Sequence, residues 1–420
     1  MRPISGNTGE RVVLHLISAS AAYPSTFVLR EVQELRRLGL WLVVGQLRPM
    51  FARMSTAGFD DVASLVIKPR WLSLDFIAGL TYWGRKQPRR LWRCLVLILR
   101  SRPRASDLLK MLYVLLASTL IAYKCRSSRE KHVRAHFLHT EALAALFVSH
   151  LTGSSYSITV HTVATHFPTM LIREVLRGAA FVVADTHQVE EFLQTLGVRR
   201  GRIRLIRNGV PIDELSFRYG QDVLNPPVIL AAGYFSRKKG FDVLLTACGL
   251  LLQRGIRFRC VLVGDGEERN NLMSLRRKLH LENEVEMPGD LSFDKLRTWY
   301  YRAALFVMPS IVPPNGSTDG LPTVVIEALA CGTPVIGTDT AGIPEVLVDG
   351  RTGILVRAGA PEAIADGIQM LLSHETQRES LAREGRRLIE QEFDLRKNSK
   401  IIANLIALHA TVPFTITPTT

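Results

Sequence analysis

Between residues 228 and 308, four short apolar runs alternate with three stretches of helical periodicity, and no other feature of this 420-residue chain restricts its fold so much. The runs are 228–233, 257–263, 284–287 and 305–308, and between them 241–253, 267–279 and 293–302 repeat apolar residues at helical spacing. Short runs without polar alternation suit strands buried on both faces, and the intervening helices supply the crossovers of a parallel sheet. Those crossovers are right-handed, so an α/β, doubly wound sheet is predicted. Two further helices are predicted at 361–373 and 381–393.

The first half begins the same way. A strand at 11–18, a helix at 26–38 closed by Gly39, and a strand at 40–47 make a βαβ unit. After an insert, the alternation resumes with 132–136, a helix at 140–151, and strands at 156–160 and 181–184. The loop after the first strand lacks GxGxxG, which removes the main signature of dinucleotide chemistry. The stretch 208–227 is rich in Gly, Pro, Asp and Asn and reads as the junction between two domains.

Composition narrows the class. With 47% hydrophobic and 22% charged residues, disorder, collagen and coiled coil are excluded, and 420 residues suffice for two or three domains with their own cores. Five scattered cysteines with no zinc-type spacing are predicted to be reduced core residues. The apolar run 12–17 is too short for a signal-peptide core, so no export is expected. The net charge of +15 is concentrated: residues 1–150 hold 23 Lys and Arg against 9 Asp and Glu, and 70–131 alone hold 14 against 3. This basic insert carries apolar runs at 91–99 and 111–123, the latter shorter than the roughly 20 residues of a spanning helix. Basic side chains beside apolar helices suit docking on the anionic inner leaflet. A solvated basic face on core helices is the alternative. Nucleic acid is not expected as a partner, because the charge is not interleaved with aromatic stacking residues.

The chemistry concentrates in 310–353. Asn315, Gly316, Asp319, Gly320, Leu321 and Pro322 form a loop that opens a helix at Thr323, giving free backbone N–H groups and a positive dipole end. This suits a diphosphate. Asp319 and Glu327 lie eight residues apart and can point into one crevice, accepting hydrogen bonds from sugar or ribose hydroxyls. Alone, the pair would read as a turn aspartate and a surface glutamate. It is joined by the turn 338–345 after the next strand, and by GYFSRKKG (233–240), which places Arg237, Lys238 and Lys239 after another strand. Lysine acts as a mobile point charge for phosphate. The VGDG and EMPG strand ends add Gly264, Gly266 and Pro288.

From Val12 to about Leu408, the basic insert excepted, the chain resembles the retaining glycosyltransferases of family 4, above all through DGLPTVVIEALACGTPV at 319–335. The resemblance implies the GT-B fold: two facing Rossmann-like domains with an interdomain cleft. It implies domains at 1–210, with the insert at 70–131, and 228–393, a linker at 211–227, a last helix at 394–412 returning to the first domain, and a loose tail at 413–420. It also implies a UDP- or GDP-sugar donor in the second domain. Glu327 would contact the ribose, Asp319 the donor sugar and diphosphate, and Lys239 the diphosphate, with Arg237, Lys238, Gly320, Leu321, Pro322 and Thr323 around it. Base recognition would fall near Gly264, Gly266 and Pro288. His161, in TVHT, matches the family's cleft histidine, which touches the donor sugar or the reacting centre. Tyr234 stands where the family usually has Arg, and Ala164 replaces an acid common after the histidine.

PSTFVLRE (24–31) and HFLHTEALAA (136–145) are similar to transferases of exopolysaccharide and colanic-acid-type repeat units. The implied enzyme is cytoplasmic, peripheral to the cytoplasmic membrane and metal-independent, and it acts on a lipid-linked or oligosaccharide acceptor in cell-surface polysaccharide biosynthesis. The rival readings are a catalytically impaired sugar-nucleotide-binding or assembly protein, and a GT-B nucleotide-sugar epimerase or phosphorylase.

Overall fold

The computed structural model describes residues 11–18, 26–47, 65–67, 73–126, 130–163, 168–314, 316 and 320–410. The chain divides into two compact units, one built from Met1–Gly209 with Leu395–Thr420 and the other from Val210–Asp394.

In the first unit the strands are β1 (Arg11–Ser18), β2 (Trp41–Leu47), β3 (Leu65–Ile67), β4 (Glu130–His136), β5 (Ser155–Val160), β6 (Phe181–Ala184) and β7 (Ile203–Leu205). They form one parallel sheet in the order β3-β2-β1-β4-β5-β6-β7. The helices are α1 (Thr26–Arg37), α2 (Leu74–Lys86), α3 (Pro88–Arg100), α4 (Ala105–Lys124), α5 (Thr140–Thr152), α6 (Thr169–Gly178) and α7 (His187–Thr195). Neighbouring residues of a strand face opposite cores: Leu14 and Leu16 enter the cluster under α4 and α5, whereas Val13 packs with Val28, Val32 and Leu35 of α1. That two-sided burial is why β2 and β6 read as largely apolar runs, whereas β4 and β5 bury polar side chains as well.

The basic insert is helical. Helix α4 begins well before the apolar run at 111–123 and reaches 20 residues, so by length and composition it could cross a membrane, which corrects the length expectation. Within the unit it packs against α2 and α5. Trp83 Nε1 donates to the Thr119 carbonyl at 2.9 Å, and Lys124 pairs with Asp75.

The second unit holds β8 (Val228–Ala232), α8 (Phe241–Gln253), β9 (Arg259–Val263), α9 (Arg269–Lys278), β10 (Val285–Gly289), α10 (Phe293–Arg302), β11 (Leu305–Met308), α11 (Thr323–Cys331), β12 (Val335–Thr338), β13 (Ile354–Val356), α12 (Pro361–Ser373) and α13 (Glu375–Glu392). Its parallel sheet runs β10-β9-β8-β11-β12-β13. Along β8, Val228, Leu230 and Ala232 face the core of α10 and α11, while Ile229 and Ala231 face that of α8 and α12. The order reverses between β8 and β11, the switch point at which open α/β sheets bind ligands beyond the strand ends.

The segment 211–227, expected as the interdomain linker, is packed into this second unit. Leu215 is fully buried, Phe217 lies against Gly332, and the Arg218 N–H donates to the Cys331 carbonyl at 3.1 Å. Apolar side chains at Leu215 and Phe217 repay burial, which a solvated linker would forgo. At the ends of this unit the Val210 N–H donates to the Phe393 carbonyl at 2.8 Å. A last helix, α14 (Leu395–His409), belongs to the first unit, where Ile402, Ala403 and Ile406 pack with α1. There a Cβ on Gly209 would lie 2.3 Å from the Leu395 Cα, so only glycine fits that approach.

Candidate functional site

In the second unit the strand ends at the switch point bring together the segments that sequence reading singled out. After β8 the chain turns through Arg237–Lys239, a single 3-10 turn, into Gly240 at φ +64°, and α8 follows. A Cβ on Gly240 would stand 2.0 Å from the Pro309 carbonyl oxygen, so the turn presses directly on the loop that leaves β11. The Ile311 N–H donates to the Lys238 carbonyl at 2.9 Å, locking the two loops together. Arg237 is exposed, whereas Lys238 and Lys239 are half-buried. The side chain of Lys239 folds back over Gly233.

The β11 loop leads to Gly320, Leu321 and Pro322, and α11 starts at Thr323 with no side-chain cap. Its opening N–H groups and its dipole thus remain directed at the strand ends. The turn after β12 closes on the same place, since the Gly342 N–H donates to the Gly320 carbonyl at 3.2 Å. Asp319, together with Asn315, lies outside the described residues.

Glu327, four residues after Thr323, occupies the same helix face, and side chains on a helix lean toward its N-terminus. It is 3% exposed, and the buried Tyr300 hydroxyl donates to its Oε2 at 3.0 Å. Burial, then the Glu327 charge beside it, pushes the Cys331 thiol up to about 12. Glu327 is therefore an oriented interior carboxylate rather than a surface one.

Gly264 and Gly266 serve packing. A Cβ on Gly264, at φ +140°, would meet the Gly233 carbonyl oxygen at 2.0 Å, and one on Gly266 would meet that of Phe235 at 2.7 Å. They let the loop after β9 lie flat against the lysine turn. Pro288 sits exposed on the edge strand β10, joined to the β9 loop through the Gly264 N–H and Gly289 carbonyl at 3.0 Å.

Two residues escaped sequence reading. Among the described residues, the hydroxyls of Ser236, in the lysine turn, and Ser310, after β11, are both buried without a hydrogen-bond partner. Leaving such a group unpaired costs about 1–3 kcal/mol, a cost that a polar ligand at the switch point would remove. Serine is too common in loops to have drawn notice.

In the first unit His161 follows β5 directly, is 3% exposed, and contacts the rings of Phe27 and Phe137. Its Nδ1 lies 2.9 Å from Asp185 Oδ2, which also accepts from Asn208 at 2.8 Å, and its Nε2 lies 3.2 Å from His136 Nδ1. Both ring nitrogens are thus engaged inside the fold. Ala164 lies outside the described residues.

Comparison with known proteins adds the family. The family described as "Glycosyl transferases group 1" matches residues 214–388, nearly all of the second unit. The WcaL protein of Escherichia coli, named for colanic acid biosynthesis, is 33% identical over 164 residues, 39% of this chain and 40% of its own length. The lipopolysaccharide core biosynthesis glycosyltransferase LpsE of Rhizobium meliloti is 30% identical over 247 residues, 57% of this chain and 67% of its own. The chain spans about half the length or less of the colanic acid and amylovoran relatives it matches. Among solved structures, Anabaena Alr3699/HepE in complex with UDP matches at 16% identity with a TM-score of 0.69, covering 93% of this chain and 98% of that one. That likeness shows the GT-B fold. With LpsE aligned over two thirds of its length and the family match falling on the unit that carries the lysine turn and α11, the chain belongs to the group 1 glycosyltransferases.

Proposed function

We propose that this chain is a retaining, family 4-type glycosyltransferase. It would move a sugar from a UDP- or GDP-sugar to a lipid-linked or oligosaccharide acceptor in cell-surface polysaccharide biosynthesis. The observation that carries the reading is the locked pair of loops at the switch point of the second sheet: the Lys239 turn, tied through Lys238 to Ile311, beside the uncapped start of α11. The names of WcaL and LpsE, and the UDP held by HepE, support it.

The chemistry follows from those groups. As the bond between the sugar and the diphosphate breaks, negative charge grows on the departing oxygen. Lys239 and the N–H groups of Thr323 and Val324 are fixed beforehand, so their attraction strengthens in the transition state without reorganisation. Ser236 and Ser310 add hydroxyl donors. Glu327, held by Tyr300, accepts from the ribose. The acceptor hydroxyl attacks on the face from which the diphosphate leaves and passes its proton to the departing diphosphate oxygen, which retains configuration without a protein nucleophile.

Lys239→Ala is expected to lower the transfer rate by roughly 10²- to 10³-fold with the fold kept, and Glu327→Ala to weaken donor binding. Full activity in both variants would sink the assignment, and donor binding without transfer to any acceptor would favour a binding protein. The acceptor reading includes the cytoplasmic leaflet. Exposed Trp92 (61%) and Leu99 (64%) stand on α3 among exposed Arg89, Arg93 and Arg100, a mixture suited to an anionic interface. Replacing the three arginines by Gln should weaken binding to anionic vesicles by about 1 kcal/mol each. Equal partitioning of the unaltered chain onto neutral and anionic vesicles would refute it.

A further inference from the structure

We propose that His15, Glu31 and His136 form a binding site in the first unit for a divalent cation of the zinc class. His15 lies on β1 and His136 on the adjacent β4, their rings stacked with centroids 6.0 Å apart, and Glu31 reaches them from α1. One ligand atom from each lies within 4.8 Å of the other two, and all three residues are buried.

The unmet bonding is specific. Among the described residues, both nitrogens of His15 and Nε2 of His136 are buried without a hydrogen-bond partner. Glu31 Oε1 stands 3.4 Å from His136 Nε2. Two ligands at zinc distances of about 2.1 Å and a tetrahedral angle are separated by about 3.4 Å. That edge of the site is already built.

The surrounding bonds determine which nitrogen is available. His136 Nδ1 lies 3.2 Å from His161 Nε2, and His161 Nδ1 lies 2.9 Å from Asp185 Oδ2, so the side of His136 away from Glu31 is engaged by a ring that is itself backed by a carboxylate. A ring that ligates through one nitrogen and donates from the other to an imidazole backed by a carboxylate is the usual outer-sphere support of a metal-bound histidine.

Glu31 is prepared as well. Arg134 Nε donates to Oε1 at 2.5 Å and Nη2 to Oε2 at 3.0 Å. An ionised carboxylate has about four lone-pair sites, enough for Arg134 and an ion together. The same guanidinium opposes a dication and limits its affinity. Two imidazoles and one carboxylate match the zinc class rather than calcium or magnesium. The ion would pin β1, β4 and α1 together and hold His161 through His136, making His136 a positioning residue for that ring.

The test uses the full chain, stripped with a chelator and titrated with Co²⁺ as a visible probe, then with Zn²⁺. One Co²⁺ per chain is expected, with the intense visible bands of a four-coordinate site, displaced by Zn²⁺ and lost in His15→Gln and in His136→Gln. Asp185→Asn should weaken Co²⁺ affinity roughly 10- to 100-fold without abolishing the bands. X-ray absorption of the zinc-loaded unaltered protein needs no variant to fold, and should give two imidazoles, one or two further oxygens and no sulfur. Absence of stoichiometric Co²⁺, a sulfur or all-oxygen shell, or bands that survive in both folded histidine variants would overturn the proposal.

Discussion

The two sheets of this protein finish their strands in opposite ways. In the second unit the strand ends are made of backbone: Gly233, Gly240, Gly264 and Gly266 let loops touch, and an uncapped helix start and a lysine turn supply the charge. In the first unit the corresponding ends bury side chains, among them His15, Arg134, His136, His161 and Asp185. A backbone-built site takes an anion without desolvating a charge of its own, and it tolerates change in most side chains. A side-chain network depends on every member, because one deletion leaves another charge buried and unpaired. The second unit is thus suited to gripping a ligand, and the first to holding groups in fixed orientation.

The largest expected effect breaks the first unit. Arg134→Met leaves Glu31 buried and uncompensated, and should cost about 3–5 kcal/mol in urea unfolding. The double variant Arg134→Met, Glu31→Leu should lose less than the sum of the singles. Additive losses would mean that the pair is not coupled. Next, Gly240→Ala forces a side chain into φ +64° and against the Pro309 carbonyl. It should cost about 3 kcal/mol or more in stability and abolish nucleotide binding, the strained backbone alone accounting for about 1–2 kcal/mol. Gly289→Ala, at φ +86° with open space, should cost only the conformational part. Equal losses in the two variants would mean that the touching loops do not matter. The smallest effect is that of Tyr300→Phe, which removes the donor to Glu327. It should weaken nucleoside diphosphate affinity by about 1 kcal/mol with unfolding shifted by a similar amount, and an unchanged affinity would detach Glu327 from the nucleotide.

This contrast also decided what the amino-acid sequence disclosed. The inner strands of the second sheet, β8, β9, β11 and β12, are legible because they are apolar on both faces, and its loops because glycine and proline punctuate them. The lysine turn and the start of α11 were therefore visible before any coordinates. Helices α6 and α7 and strands β7 and β13 were not foreseen; the two strands have only three residues each, too few to show a period. The first turn of α13, ETQRES, is charged and unpatterned, so the helix was expected to start at 381 instead of Glu375. The polar network of the first unit was hidden by distance along the chain: Arg134 and Glu31 are 103 positions apart. Only His161 was noticed, and then through the family resemblance rather than through Asp185 or His136, which determine its state.

Whether the diphosphate of a nucleotide is held between the Lys239 turn and the start of α11 can be read from calorimetric titration of uridine against UDP and guanosine against GDP, in the unaltered chain and in Lys239→Ala. One diphosphate should bind at least roughly tenfold more tightly than its own nucleoside, and Lys239→Ala should remove about 1 kcal/mol or more of this gap while nucleoside affinity is unchanged. A gap that survives the substitution intact, or no gap for either base, would contradict this binding mode.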